Sequence, residues 1–470
     1  METHFEHAYG PKLAGKMFRN FGTGVRPVGK FVGVLFLIVC LLIPLGFIES
    51  QISSRQSYQY QVTAEIASSS ASSQTVTGPI LAIHYRTKTP EKSYLDAESG
   101  KMLTRAASIS EHIEYIPARK LAIQGVTRVE RRYRGIYQAR LFFLDAGVEG
   151  AFEASADMIK IPDGNEFVDA NASILFGLSD LRGLSSDPDV LVDGKPLHFK
   201  TPKDKRFATV MSDNRLEIDL GAWTPGDART LTFAFPLKLV GTEDLSISPT
   251  AENNIIELTS DWKHPSFGGR FLPRERTVNE TGFTARWEIS QLARNLENAL
   301  KGSGEVLRIG FIDPVNIYLQ AERAVKYGSL FIILTFAAFF IGEVLRRCPM
   351  HIMQYALVGL SLAIFFLLLI ALSEHLSFAL AYLAGAIACI GLIAVYLAGV
   401  FNSWRMASIF GGGLAVLYGM LFGILQLEDM ALLMGSLLLF AALAAAMFST
   451  RHFDWYQLKQ SEAVTEISGE

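Results

Sequence analysis

Cysteine is scarce in this chain, and its distribution excludes several kinds of chemistry. The three cysteines, Cys40, Cys348 and Cys389, each lie in or beside a long apolar run, and residues 49–327 contain none. Disulfides, metal–thiolate sites and cysteine nucleophiles are therefore excluded from residues 49–327.

Motifs of catalysis are missing as well. The nine histidines are scattered, and the sequence has no His-Glu-x-x-His, no Gly-x-Ser-x-Gly and no P-loop. His264 lies close to Trp262 and Ser266, but the adjacent Pro265 indicates a turn and no acid is placed to orient a His–Ser pair. We therefore expect a protein that is not an enzyme, with no catalytic, cofactor-binding or metal-binding residues and no cofactor.

The C-terminal part of the chain is almost unbroken apolar sequence. A helix that crosses the hydrocarbon core of a bilayer needs about 20 apolar residues, and residues 328–448 divide into five such lengths with polar breaks between them. The predicted spans are 328–345, 352–372, 377–400, 406–425 and 430–448. A sixth run, residues 31–48, predicts a signal-anchor helix. A cleavable signal peptide is the alternative, but its apolar region would be only ~7–15 residues long.

Basic residues predict the orientation of these spans. Ten of the 43 Lys and Arg lie outside residues 49–327, and with the N-terminus inside all ten are cytoplasmic, as the positive-inside rule requires. They are Lys12, Lys16, Arg19, Arg26, Lys30, Arg346, Arg347, Arg405, Arg451 and Lys459. Arg323 and Lys326, at the outer edge of the second span, run against the rule.

This orientation predicts five segments. The chain begins with a cytoplasmic tail (1–30) and the anchor helix (31–48). A large extracytoplasmic domain (49–327) follows, then a five-helix membrane block (328–448) and a second cytoplasmic tail (449–470). The extracytoplasmic segment has the same net charge as the whole chain, −3, because ten basic and ten acidic residues lie outside it. That balance does not indicate a nucleic-acid partner.

Alternating polar and apolar residues in the extracytoplasmic segment predict short strands, with Gly, Pro and Asp between them. This pattern is typical of a mainly antiparallel β-sandwich. The predicted strand regions are 57–73, 75–86, 112–119, 125–147, 151–178, 189–210, 215–220, 230–239 and 254–258. Helix is predicted at 290–299 and from Pro314 through Tyr327 into the second span. Two arrangements of these strands remain open. They form either one double sheet or two modules in series with a boundary near residues 185–188.

Two basic clusters have more than one interpretation. Arg128, Glu130, Arg132 and Arg134 share one face of a predicted strand, because residues two apart in a strand point the same way. They form either a patch for lipid head groups or cell-wall polymer, or a solvated face with cross-strand ion pairs. The other cluster predicts a surface loop, and consists of Lys200, Lys203, Lys205 and Arg206.

Transport would require ionisable groups inside the spans, and the middle of each predicted span has none. Glu343 lies one turn from Arg346 and Arg347 and is predicted to be an ion-pair partner. Glu374 and His375 form either a solvated outer loop or a pH-sensitive contact with the sheet domain.

Small residues predict a closely packed helical scaffold. They are Gly419 with Gly423, Ala381 with Gly385, Gly411–Gly413 and residues 441–446. A substrate path at the glycines Gly411–Gly413 is the alternative.

Three motifs carry a resemblance to a known family. They are Trp262-Lys263-His264-Pro265-Ser266-Phe267 with Phe271-Leu272-Pro273, then residues 322–327, then residues 373–382. In this order, together with the segment 130–137, they resemble the CreD family of inner-membrane proteins. One departure is Lys263, where a proline is expected. The motif positions, of unknown role, are Trp262, His264, Pro265, Phe267, Arg323, Lys326, Tyr327, Glu374, His375 and Tyr382.

The resemblance implies a Gram-negative inner-membrane protein tied to cell-envelope integrity, colicin tolerance and envelope stress, within a regulon run by a two-component system. It implies no established chemistry and no catalytic residues. Two functions stay open. The first is a non-enzymatic envelope protein whose periplasmic domain binds a protein, lipid or wall component, with the lipid bilayer and a periplasmic or inner-membrane protein as partners. The second is a transporter or exporter accessory whose periplasmic domain caps a pathway through the bundle.

Overall fold

The protein, described by a computed structural model, divides into two units. The structure describes residues 27–95, 102–202, 211, 214–301, 304–313, 317–346, 350–426 and 431–451. The helix unit is Met1–Ser57 with Val315–Glu470, and the sheet unit is Tyr58–Pro314. Residues 1–26 and 452–470 of the predicted cytoplasmic tails lie outside the described residues, as do Lys203, Lys205, Arg206, Arg347 and Cys348.

Eight helices occur in these ranges, and six are long and apolar enough to cross a membrane. The helices are α1 (Pro27–Ser69), α2 (Leu296–Leu300), α3 (Ile317–Lys326), α4 (Gly328–Arg346), α5 (Ile352–Ser373), α6 (Phe378–Phe401), α7 (Trp404–Gln426) and α8 (Ala431–Thr450). The candidate spans are Gly29–Ser69, Ile317–Glu343, Ile352–Ser373, Phe378–Phe401, Trp404–Gln426 and Leu433–Thr450. The prediction of six membrane helices is confirmed.

The second span includes a short segment before the apolar run. α3 and α4 are separated only by Tyr327, whose backbone amide donates to the carbonyl of Arg323 at 3.3 Å. The carbonyl of Tyr327 in turn accepts from the amide of Phe331 at 3.0 Å. Helical hydrogen bonds therefore run through Tyr327, as predicted, although Pro314 lies outside the described residues.

α1 is longer than the predicted anchor and corrects one strand prediction. It has 43 residues, about 65 Å at ~1.5 Å per residue. The strand predicted at 57–73 is wrong, because residues 57–69 are helical and β1 begins only at Gln74. Tyr58, Val62 and Ile66 recur every four residues, and Val62 is buried. Extending an existing helix also avoids the cost of nucleation, so helix prevails over the local alternation of Tyr58, Tyr60 and Val62.

Sixteen strands are present in the described part of the chain. They are β1 (Gln74–Thr89), β2 (Lys92–Leu95), β3 (Met102–Arg105), β4 (Ser108–Arg134), β5 (Tyr137–Ala154), β6 (Glu166–Leu178), β7 (Asp189–Val192), β8 (Lys195–His198), β9 (Arg215–Ala222), β10 (Arg229–Thr242), β11 (Asp244–Ser248), β12 (Asn253–Ser260), β13 (Pro265–Gly269), β14 (Glu275–Asn279), β15 (Gly282–Ser290) and β16 (Leu307–Phe311).

Fourteen of these strands form one branched sheet, with the order β13-β16-β11-β1-β4-β5-β10-β7-β8 along its main path. The sheet branches at β1, which also pairs with β6, and at β4, a strand of 27 residues. The first part of β4 pairs with β1, while its second part pairs with β5 on one side and β12 on the other. Most pairs are antiparallel, as predicted, but β1 with β11 and β4 with β12 are parallel.

Besides a small apolar cluster around Ile80 and Leu175, the sheet unit has one large apolar core. Its largest buried side chains come from strands far apart in sequence, including Phe142, Phe176, Trp287 and Phe311. Residues 185–188, the predicted module boundary, lie inside the sheet unit before β7.

Several strand predictions had wrong limits. The region predicted at 151–178 is two strands, because residues 155–165 form turns between β5 and β6. β2, β3, β11 and the four strands from β13 to β16 were not predicted. The helix predicted at 290–299 is a 3₁₀ turn, Gln291–Ala293, followed by the five-residue α2. Ser290 itself ends β15.

Candidate functional site

The motif residue Trp262 joins two segments of the sheet unit. Its indole nitrogen donates to the carbonyl of His264 at 3.0 Å and to the carbonyl of Ile312 at 3.1 Å. The guanidinium of Arg131 lies 5.2 Å from the centre of the indole ring. Trp262 is buried and the His264 side chain is exposed, so this histidine contributes a backbone carbonyl to the contact.

A charged network lies next to Trp262, and it was not predicted. Asp313 accepts hydrogen bonds from Arg131 at 3.0 Å and from Gln138 at 3.1 Å, and pairs with Arg140 at 3.1 Å. Arg140 also pairs with Glu243. Two arginines and two carboxylates balance each other, and arginine does not exchange protons near neutral pH. The network therefore serves to connect β4 and β5 to the chain after β10 and after β16.

Pro265 and Phe267 belong to β13, an edge strand of the sheet. Pro265 is its first residue, where the missing amide hydrogen does not interrupt the ladder. The ring of Phe267 lies edge-on to Phe283 at 5.5 Å and to Trp287 at 5.8 Å between centroids. The four motif positions of the sheet unit therefore contribute to packing and hydrogen bonding.

The predicted basic face on β4 carries local ion pairs. Glu130 pairs with Arg128 at 3.2 Å and with Arg132 at 3.1 Å, and Arg134 pairs with Glu65 of α1. All three arginines are exposed. The face is solvated, as in the second interpretation, but these ion pairs lie within β4 or join it to α1 and do not cross to another strand. Lys200 forms a two-way backbone bridge with Glu217, with both distances 2.8 Å.

Lys30 and Glu343 form an ion pair in the helix unit, and Tyr355 donates to the second oxygen of Glu343 at 3.0 Å. The side chains of Lys30 and Glu343 are only 15% and 13% exposed. This cluster connects α1, α4 and α5. Sequence spacing placed Glu343 near Arg346 and Arg347 and did not find Lys30, which is 313 residues away along the chain.

Glu374, a motif residue directly after α5, forms a second ion pair with α1. Its carboxylate is 11% exposed and lies 3.7 Å from the guanidinium nitrogen of Arg55 on α1, while the neighbouring His375 is exposed. Lys30 and Arg55 are about 25 residues apart, ~37 Å along a helix. That distance exceeds the ~30 Å hydrocarbon core and is shorter than the ~40–45 Å bilayer with head groups. The spacing of Lys30 and Arg55 along α1 is therefore the spacing expected for residues at the two ends of a membrane span.

The remaining motif residues lie in or beside helix contacts. Tyr382 donates to the backbone carbonyl of Tyr418 at 2.7 Å, which connects α6 to α7. Lys326 pairs with Glu322 one turn earlier at 2.7 Å. Tyr327 lies 3.7 Å from the position that a Cβ on Gly435 would occupy, and Arg323 is half-buried.

The glycine predictions have mixed outcomes. α7 continues without interruption through Gly411–Gly413, so the described backbone does not have the broken helix that a path there would use. A Cβ on Gly419 or Gly423 would meet no atom within 4 Å, so the predicted close packing at this pair is not found among the described residues. Ala381 is fully buried, and a Cβ on Gly385 would lie 3.3 Å from Phe365.

The described residues contain no group of three or more His, Cys, Asp or Glu that could hold a metal ion.

Six apolar helices and a large, mainly antiparallel sheet define a multi-pass membrane protein with one large sheet unit.

Comparison with known proteins places the chain in a family. The family model for the inner membrane protein CreD matches residues 26–456. "Inner membrane protein CreD" of Escherichia coli (strain K12) is 33% identical over 454 residues, which cover 93% of this chain and 96% of that protein. The chain belongs to the CreD family of inner-membrane proteins, as its motifs predicted.

A solved structure gives a much weaker match. It is a "putative nutrient binding protein" from Legionella pneumophila, with a TM-score of 0.22 and 8% identity, over 47% of this chain and 77% of that one. A TM-score this low supports no conclusion about fold or function.

Proposed function

We propose that this inner-membrane protein is not an enzyme, that it supports cell-envelope integrity under envelope stress, and that residues 49–327 form a periplasmic interaction domain. The observation that carries the proposal is the position of the charged side chains in the helix unit. Lys30 and Arg55 flank the apolar run 31–48 of α1, Glu343 lies near the end of α4 and Glu374 follows α5, so the pairs Lys30–Glu343 and Arg55–Glu374 lie outside the middle of the apolar runs. Ion carriers need such groups at mid-membrane.

The sheet unit supplies the surface for an interaction. The charged network beside Trp262 is internally paired, and His264 joins it only through a backbone carbonyl, which supports a connecting role for these residues. The distribution of Lys and Arg supports a periplasmic position for this unit and cytoplasmic termini.

Cysteine labelling tests the orientation. The three native cysteines are replaced by alanine, and single cysteines are introduced at Ile136, in the exposed hairpin turn after β4, and at Arg451, after α8. A membrane-impermeant maleimide applied to intact spheroplasts is expected to label Ile136→Cys and to label Arg451→Cys only after lysis. The reverse pattern would overturn the proposed orientation.

A deletion strain tests the role in the envelope. Loss of the protein is expected to increase leakage of a periplasmic enzyme and sensitivity to detergent, and the wild-type protein should restore both. Normal leakage and sensitivity under envelope stress in the deletion strain would contradict the proposed role.

A further inference from the structure

A groove crosses the outer face of the sheet unit, and no side chain of the described residues fills it. Its two adjoining cavities measure about 440 and 410 Å³ and share Ala122, Glu149, Leu191 and Ala234. We call it the Glu149 groove, lined by Ala122, Gly147, Glu149, Asp189, Leu191 and Ala234.

Strand register explains why the groove is open. Glu149 of β5 lies directly opposite Ala122 of β4 and Ala234 of β10, and Ala234 lies opposite Leu191 of β7. Since alternate residues of a strand share a face, these side chains form one row across four strands. Two of them are alanines, so Glu149 stands between short neighbours.

A glycine forms part of the adjacent row. Gly147 lies opposite Gln124 on one side and Pro236 on the other. A Cβ placed on Gly147 would meet no atom within 4 Å, so the groove has room for a larger side chain at this position.

The groove combines negative charge with an apolar end. Three carboxylates, Asp145, Glu149 and Asp189, line it, against one cation, Lys120, in the second cavity. Asp145 has only a distant partner, Lys238 at 3.9 Å, Asp189 lies 3.5 Å from the exposed His198, and no Lys or Arg of the described residues pairs with Glu149. Leu191, at the end of the row, is 47% exposed. A complementary ligand therefore has a cationic group with apolar groups beside it.

We propose that the Glu149 groove binds a short basic segment of a partner protein, with a lysine or arginine on Glu149 and an apolar side chain on Leu191. A volume near 440 Å³ accommodates a few side chains. The proposal rests on the proposed function, because it names the kind of partner that the interaction domain takes.

Peptide binding to the purified full-length protein tests the groove. The probe is a fluorescent ten-residue peptide in which lysine and valine alternate, and its matched counterpart has glutamate in place of lysine. Fluorescence anisotropy at low salt is expected to show binding of the lysine peptide only, weakening as salt is added.

Two variants test whether the lysine peptide binds in the groove. Gly147→Phe is expected to weaken binding about tenfold or more by filling the space, and Glu149→Gln by about three- to tenfold. Two controls should leave binding unchanged. Gly268→Phe alters a glycine on β13 whose Cβ also has free space, and Glu280→Gln removes a carboxylate that is 96% exposed elsewhere.

Three results would overturn the groove proposal. These are no binding of the lysine peptide up to about 1 mM, equal binding of the glutamate peptide, or equal affinity in all four variants. Glu149→Gln hardly changes side-chain volume, so it remains informative if Gly147→Phe fails to fold. Labelling of Ile136→Cys on intact spheroplasts is independent of peptide binding. Failure of the groove alone therefore leaves the proposed orientation standing.

Discussion

Arg182 and Asp180 form a two-point ion pair in the sheet unit, with nitrogen–oxygen distances of 2.9 and 2.6 Å. The same arginine donates to the carbonyl of Ser68 at 2.6 Å, in the last turn of α1. Asp180 also accepts from the amide of Ser72 at 3.2 Å. This pair fixes the chain where α1 ends and β1 is about to begin.

The Asp180 pair predicts a pH-dependent stability. Hydrogen bonds from Arg182, and then from Ser72, hold the pKa of the Asp180 carboxyl well below its usual range, although partial burial opposes this. A depressed pKa stabilises the folded state above the unfolded value of about 3.9. The contribution is lost as pH falls through the folded pKa. Asp180→Asn should therefore cost about 1–3 kcal/mol near pH 7, and less below pH ~4.

Chemical denaturation of the purified protein at several pH values, followed by tryptophan fluorescence, measures this difference. Asp163→Asn is the matched control, because Asp163 is exposed in a turn that asparagine also suits. A deficit of Asp180→Asn that stays constant from pH 7 to pH 3 would contradict the assignment.

Trp262→Phe should destabilise the sheet unit. The change keeps an aromatic ring but removes the indole N–H, which donates hydrogen bonds to the backbone carbonyls of His264 and Ile312. Both hydrogen bonds are partly buried, so their loss should cost about 1 kcal/mol each at most. Denaturant unfolding of this variant is compared with that of Trp404→Phe, at a tryptophan that is 67% exposed. Equal stability of the two variants would show that the indole hydrogen bonds contribute nothing.

Lys30→Met should be strongly destabilising in the helix unit. The largely buried carboxylate of Glu343 would keep the hydrogen bond from Tyr355 but lose the ion pair with Lys30. Leaving one charge of a buried pair without its partner costs about 3–5 kcal/mol. The double variant Lys30→Met/Glu343→Gln should recover most of the loss. Unfolding in mixed detergent and SDS micelles measures both effects.

Lys301→Met is the control for Lys30→Met, because its pair with Glu297 is exposed and should contribute less than about 1 kcal/mol. Additive losses from Lys30→Met and Glu343→Gln would show that the two charges do not interact.

Two glycine substitutions should have opposite outcomes in the helix unit. A Cβ on Gly359 would lie 2.3 Å from Leu41 and 2.7 Å from Phe336, both buried. Gly359→Leu should therefore cost about 1–3 kcal/mol by overpacking. Gly419→Leu meets open space and should change stability by less than about 0.5 kcal/mol. The same unfolding assay compares them, and a larger loss for Gly419→Leu would show that its face is packed against something.

Local sequence was sufficient for the six membrane helices and for much of the sheet. Apolar length defines a membrane span without reference to the rest of the chain, and period-two alternation located β1, β4, β5 and β10. The prediction failed where two periodicities overlapped, as at Tyr58, Val62 and Ile66. It also missed short strands such as β13 and β16, which have five residues each and owe their pairing to distant neighbours.

The sequence by itself determined the class of the protein, its family motifs and the expected orientation, because length, hydropathy and charge counts are local or additive properties. Only the tertiary structure decided which residues meet. Lys30 reaches Glu343, Trp262 reaches Ile312, and Ala122 with Ala234 leaves a groove around Glu149. These contacts depend on the register of strands and the packing of helices, which many residues specify jointly and no single pattern along the chain records.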